Sequence, residues 1–208
     1  MRSLAVRAIA VALLLLAATS ARTPAAERVL VILGDSLTAG LGVAREEAYP
    51  ALLEARLRRD GFAYRVVNAG VSGDTSAGGL RRVDWVLRAR PDLVVVALGA
   101  NDGLRAQPVQ ALRDNLTAIV TRLRAAGARV LLAGMRLPPN YGADYTAAFA
   151  GAFPAVARAT SVPLLPFLLD GVAGDPALNQ ADGIHPNASG HRVMAETLWR
   201  ALRPHLEK

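Results

Sequence analysis

Five short apolar runs alternate with longer stretches whose apolar residues recur every three or four positions. That alternation restricts the fold more than any other feature of the chain. The runs are Arg28–Leu33, Tyr64–Asn68, Leu93–Leu98, Arg129–Ala133 and Val162–Phe167. Unbroken apolar character marks strands covered on both faces, hence a parallel sheet between two helical layers. Between the runs the spacing predicts helices over Tyr49–Asp60, Ser76–Arg88, Gln107–Ala126, Asn140–Thr160 and Ala188–Leu202. Pro50 marks the first turn of one, and Gly61 and Gly127 mark stops. Gly151 and Pro154 predict an interruption of the fourth helix, and Pro163 and Pro166 predict that the last strand lies at a sheet edge. The expectation is α/β: one three-layer α/β/α domain over residues 27–208.

Residues 1–26 have the pattern of a signal peptide. Arg2 and Arg7 precede an apolar stretch, Ala8–Ala18, and small residues at Ala18–Ala21 and Ala25-Ala26 offer cleavage points. The stretch is short for a membrane span. A periplasmic or secreted bacterial protein is therefore expected. Cysteine is absent, which excludes disulfides, thiolate metal sites, a cysteine nucleophile and a lipid anchor on cysteine. Lys208 is the sole lysine, so a phosphate-binding P-loop is excluded as well. Of the net charge of +7, three units belong to Arg2, Arg7 and Arg22, and the other arginines are scattered. A solvated basic surface with no nucleic-acid partner is the expectation, with at most transient contact with a membrane surface.

The informative polar residues follow the strands. Gly34-Asp35-Ser36 follows the first run, Val71-Ser72-Gly73-Asp74 lies just beyond the second, and Gly99-Ala100-Asn101-Asp102 follows the third. In a parallel sheet these loops share one edge, the edge where ligands bind. Asp182-Gly183-Ile184-His185 precedes the last helix. Acyl transfer requires a nucleophile, a base, a group that orients the base, and donors for an oxyanion. Ser36, His185 and Asp182 supply the first three. The N–H groups of Ser36 and Gly73 and the amide of Asn101 supply the donors.

Each residue also has a plainer use. Ser36 could cap a helix, Asn101-Asp102-Gly103 could be an ordinary turn, and Asp182 and His185 could be a cap and a surface histidine. His191 and His205 are taken as solvated. One histidine with scattered carboxylates does not make a metal cluster, so no metal is expected. Only the conjunction of four loops favours chemistry.

In order, Gly34-Asp35-Ser36-Leu37, Gly73, Asn101 and Asp182-Gly-Ile-His185 resemble the four motif blocks of the SGNH/GDSL hydrolases. Leu98–Arg105, Arg136–Gly142 and Val162–Phe167 are similar to the bacterial periplasmic thioesterase I, lysophospholipase and arylesterase branch. The resemblance implies a flavodoxin-like five-stranded parallel sheet, no cofactor, a triad of Ser36, Asp182 and His185, and oxyanion donors on Ser36, Gly73 and Asn101. It also implies an acyl groove, with Leu104, Leu137, Pro138 and Ile184 as candidate wall residues. Ser36 is not in a Gly-x-Ser-x-Gly elbow, which sets the chain apart from α/β-hydrolases. The expected activity is hydrolysis of aryl and short-to-medium acyl esters, acyl thioesters and lysophospholipids by a monomer. The rivals are a carbohydrate O-acetyl esterase and a non-catalytic anion-binding module.

Overall fold

The computed structural model describes residues 27–208, so the signal-peptide expectation for residues 1–26 falls outside it. Five parallel strands form one sheet: β1 (Arg28–Gly34), β2 (Tyr64–Gly70), β3 (Leu93–Ala97), β4 (Arg129–Ala133) and β5 (Leu164–Leu165), in the order β2-β1-β3-β4-β5. Ile32, Leu33, Val95 and Val96 at the centre are fully buried, as continuous apolar strands require. The helices are α1 (Ser36–Ala39), α2 (Tyr49–Arg59), α3 (Ser76–Arg81), α4 (Val83–Leu87), α5 (Ala100–Leu104), α6 (Val109–Ala125), α7 (Ala143–Thr160) and α8 (Ala188–Leu202). The chain steps from β1 outward to β2, then back past β1 to β3. Right-handed crossovers therefore put α2 on one face and α3, α4, α6 and α7 on the other. Helix α8 returns to pack on α2. Among the described residues no helix is long and apolar enough to cross a membrane.

The stripe Leu112, Leu116, Ile119, Val120 and Leu123 buries α6 against the sheet and α7. Three local expectations need correction. The helix expected over Ser76–Arg88 is two helices broken at Arg82, whose backbone leaves the helical region. The last strand shrinks to Leu164–Leu165, because Pro163 and Pro166 cannot donate to a neighbour. Conversely, α7 runs on through Gly151 and Pro154, held across its missing donor by the buried Phe149, Ala152, Phe153 and Val156.

His191 is buried (1% exposed), not solvated. It lies on the apolar stripe of α8 with Met194, Ala195, Leu198 and Leu202. Its ring stacks on Tyr49, and Nδ1 accepts from the Tyr49 N–H at 3.2 Å. Burial lowers its pKa to about 4, so the ring is neutral at pH 7.

Candidate active site

Strand β1 delivers Ser36 to the C-terminal edge of the sheet as the first residue of α1. The helix cap is Asp35, not Ser36: Asp35 Oδ1 accepts from the Leu37 N–H at 3.0 Å, which leaves the serine hydroxyl free for another partner. That partner is His185, with Oγ and Nε2 2.9 Å apart. On its other side, Nδ1 of His185 is 2.7 Å from Asp182 Oδ2. The second oxygen of Asp182 accepts from the N–H groups of Ile184 and His185, both at 3.0 Å. These bonds, led by the His185 backbone N–H and then its ring, pull the Asp182 carboxyl down to a pKa of about 2. Asp182 therefore does not cap α8. That role belongs to Asn187, which accepts from the Ser189 and Gly190 N–H groups.

The 182–185 loop is pinned to the nucleophile loop by Gln180. Its backbone N–H donates to the His185 carbonyl at 2.7 Å, and its side-chain amide donates to Leu41 O and Pro186 O at 2.7 and 2.9 Å. With the histidine proton on Nδ1, facing Asp182, Nε2 is left to accept the Ser36 hydroxyl proton. A carboxylate, an imidazole and a hydroxyl in one line can activate a serine.

Asn101 is the second residue of α5 rather than part of a free turn. Its Nδ2 donates to Asp74 O at 3.0 Å, and Asp35 Oδ2 lies 3.4 Å away. Asn101 thereby joins the Ser36 loop to the loop carrying Gly73. Gly73 has φ of +77°, a left-handed conformation that a side chain would strain. Arg105 donates to its carbonyl at 2.9 Å. Among the described residues, the N–H groups of Ser36 and Gly73 have no acceptor. Asp102, next to Asn101, is buried and accepts from the N–H and hydroxyl of Ser76 at 2.8 and 2.5 Å. The N-terminus of α3 is thus fixed against α5. Asp35, 1% exposed, is raised by burial to a pKa of about 6.

Ser36, Asn101 and His185 open on a cavity of about 490 Å³. Leu104, Leu137, Pro138 and Ile184 all line it. Gly73 stays off its wall, tied in through the Asp74–Asn101 bond. Sequence reasoning missed Met135, Phe167 and Leu169, which complete the apolar wall, and Arg136, whose guanidinium stacks 5.1 Å from the Phe167 ring centre. The available signal was position: Met135 and Phe167 sit just past the ends of β4 and β5, where the sheet rule places ligands. Among the described residues no group of three or more His, Asp or Glu side chains could hold a metal ion.

A parallel sheet of this order, with polar loops at the ends of β1, β2 and β3 and a carboxylate–histidine pair before the last helix, defines an α/β/α hydrolase. The chain belongs to the GDSL-like Lipase/Acylhydrolase family, whose model matches residues 32–193. It is 46% identical over 181 residues to esterase TesA of Pseudomonas aeruginosa, covering 86% of this chain and 90% of that one. It is 42% identical over 181 residues to thioesterase 1/protease 1/lysophospholipase L1 of Escherichia coli K12, covering 86% of each. A crystal structure of TesA superposes with a TM-score of 0.84 at 46% identity, covering 86% of this chain and all of that one. The expected family, the five-stranded parallel sheet and the hydrolase class all hold.

Proposed function

We propose that this protein hydrolyses carboxylic esters and acyl thioesters through an acyl-enzyme on Ser36. Ser36 Oγ attacks the carbonyl carbon as its proton passes to His185 Nε2. Asp182 holds the imidazole in the required tautomer and balances the positive charge that forms. The Ser36 and Gly73 N–H groups and the Asn101 amide stabilise the oxyanion. The carbon–oxygen or carbon–sulfur bond then breaks, His185 returns the proton to the leaving group, and a water activated by the same histidine releases the acid. No cofactor enters these steps.

One observation carries this reading. The contacts Ser36–His185–Asp182, at 2.9 and 2.7 Å, form an unbroken line at the head of a cavity with a mainly apolar wall. The apolar wall supports acyl chains over sugars, so aryl esters, short-to-medium acyl esters, acyl-CoA-type thioesters and lysophospholipids are the proposed substrates of a monomeric enzyme. Ser36→Ala is expected to abolish p-nitrophenyl ester turnover and labelling by a fluorophosphonate, with an unchanged melting curve. Retained labelling, or retained burst kinetics, would refute the assignment. We also infer export guided by residues 1–26. Sequencing the N-terminus of protein recovered from the periplasm should give Arg22 or Glu27, and recovery with Met1 in the cytosol would overturn this.

A further inference from the structure

Arg82 sits where α3 breaks into α4, and its side chain is about four-fifths buried. Its guanidinium reaches three places. Nη2 donates to Gly34 O at 2.8 Å, Nη1 to Ala69 O at 2.7 Å, and Nε to Asp74 Oδ2 at 2.7 Å. Gly34 ends β1, two residues before Ser36. Ala69 lies at the end of β2. Asp74 directly follows Gly73, and its backbone oxygen accepts from Asn101. One rigid cation therefore ties together the ends of two strands and the loop leaving the second.

We propose that Arg82 is a positioning residue for the oxyanion site, an inference that rests on the donor assignment made above. Two of the proposed donors, the Ser36 and Gly73 N–H groups, leave from different strands. Their separation depends on what joins the two loops. Val71 N–H to Gly34 O, at 3.1 Å, is a backbone link between them, and Arg105 holds Gly73 from the exposed side. Arg82 adds a largely buried, charge-assisted link, with a planar fork whose directions match three acceptors at once. An oxyanion gains full stabilisation only with donors at about 2.7–3.1 Å, and a misplacement of about 1 Å can cost on the order of a hundredfold in rate. The role is indirect, because Arg82 does not line the cavity.

Arg82→Lys tests this. Lysine keeps a positive charge for Asp74, but its single nitrogen cannot span both carbonyls and the carboxylate. We expect kcat on a p-nitrophenyl ester to fall about tenfold to a hundredfold, with KM within about twofold. The inhibition constant of an alkyl boronic acid, which forms a tetrahedral adduct with an active serine, should rise by the same factor as kcat falls. All assays run well below the melting temperature of the variant. A lowered melting temperature with kcat and boronate inhibition unchanged would show a merely structural role and overturn the proposal. If the lysine variant does not fold, Asp74→Ala carries the test. It releases the Gly73 loop from Arg82 while leaving both carbonyl bonds. Matched changes in kcat and boronate inhibition support positioning, and no change in either overturns it. A wild-type enzyme that neither binds the boronate nor reacts with a fluorophosphonate would refute the Ser36 reading itself, a different result from either variant outcome.

Discussion

Asp182→Asn separates orientation from mere packing. In the wild type Oδ1 accepts two backbone N–H groups, while Oδ2 faces His185 Nδ1 at 2.7 Å. Asparagine can keep its carbonyl toward the two N–H groups, so the loop should hold its shape. Its NH₂ group then faces Nδ1 and forces the ring proton onto Nε2. That proton points at Ser36, which leaves the histidine unable to accept the serine proton. In a serine protease the same exchange lowers kcat by about 10⁴, equivalent to about 5.5 kcal/mol in the barrier. Here the Asp182 side chain is 46% exposed, so water screens its charge and competes for Nδ1. The tautomer effect survives screening and the charge effect is weakened. We therefore expect a loss of about 10² to 10⁴ in kcat on a p-nitrophenyl ester, with KM little changed and the melting temperature within a few degrees of wild type. The double variant Ser36→Ala/Asp182→Asn should be no slower than Ser36→Ala, because the groups act as a unit. A loss below tenfold in the single variant would refute the orienting role and leave Asp182 as a turn-forming residue.

Two buried groups should make stability respond to pH in opposite senses. Burial holds His191 at about 4 against an ordinary 6.5, and holds Asp35 at about 6 against an ordinary 3.8. Between pH 4 and 6 the unfolded chain binds the extra proton at His191 and the folded chain binds it at Asp35, so the two slopes largely cancel. His191→Gln should leave stability falling as pH rises from 4 to 6, and Asp35→Asn should leave it rising, each by up to about 2 to 3 kcal/mol in denaturant titrations. Both variants tracking wild type would refute the assignment. Leu137→Ala removes part of the cavity wall, and at about 25 cal/mol per Å² an acyl chain loses about 1 kcal/mol of contact. Octanoyl over acetyl selectivity in kcat/KM should drop about fivefold, and an unchanged ratio in a chain-length series would place the acyl chain elsewhere.

The strands and the proposed reacting residues were legible for the same reason: both depend on local sequence. A fully buried strand must be continuously apolar, so polar Asp35-Ser36, Gly73 and Asn101 near strand ends stand out. The wall residues Leu104, Leu137, Pro138 and Ile184 rested on family resemblance, and Met135, Phe167 and Leu169 read as core in a sequence. They line a cavity only because two strand ends come side by side. His191 was misread although a signal existed, since it shares a helical stripe with Met194, Ala195, Leu198 and Leu202. Arg82 carried no signal, being one basic residue among many. Its importance lies in acceptors 48, 13 and 8 residues away, which only the folded chain brings together.

The proposed chemistry and the proposed selectivity consequently draw mainly on different strands. The proposed reacting groups and donors come from the ends of β1, β2 and β3 and from the turn before α8, joined by Arg82, Asn101 and Gln180. Most of the wall comes from beyond β4 and β5; Ile184 joins it from the turn before α8, and Leu104 on α5 links the two halves. That link is itself restrained, because Tyr141 donates to Leu104 O at 3.1 Å and Tyr145 to Gln107 O at 2.7 Å. A change in the segment from Met135 to Tyr145 can therefore reshape the cavity without moving the Ser36–His185–Asp182 line. The converse does not hold for Asn101, three residues from Leu104 on the same short helix. A substitution that tilts α5 moves a proposed oxyanion donor and a wall residue together, so rate and chain-length preference should change jointly there and separately at Leu137.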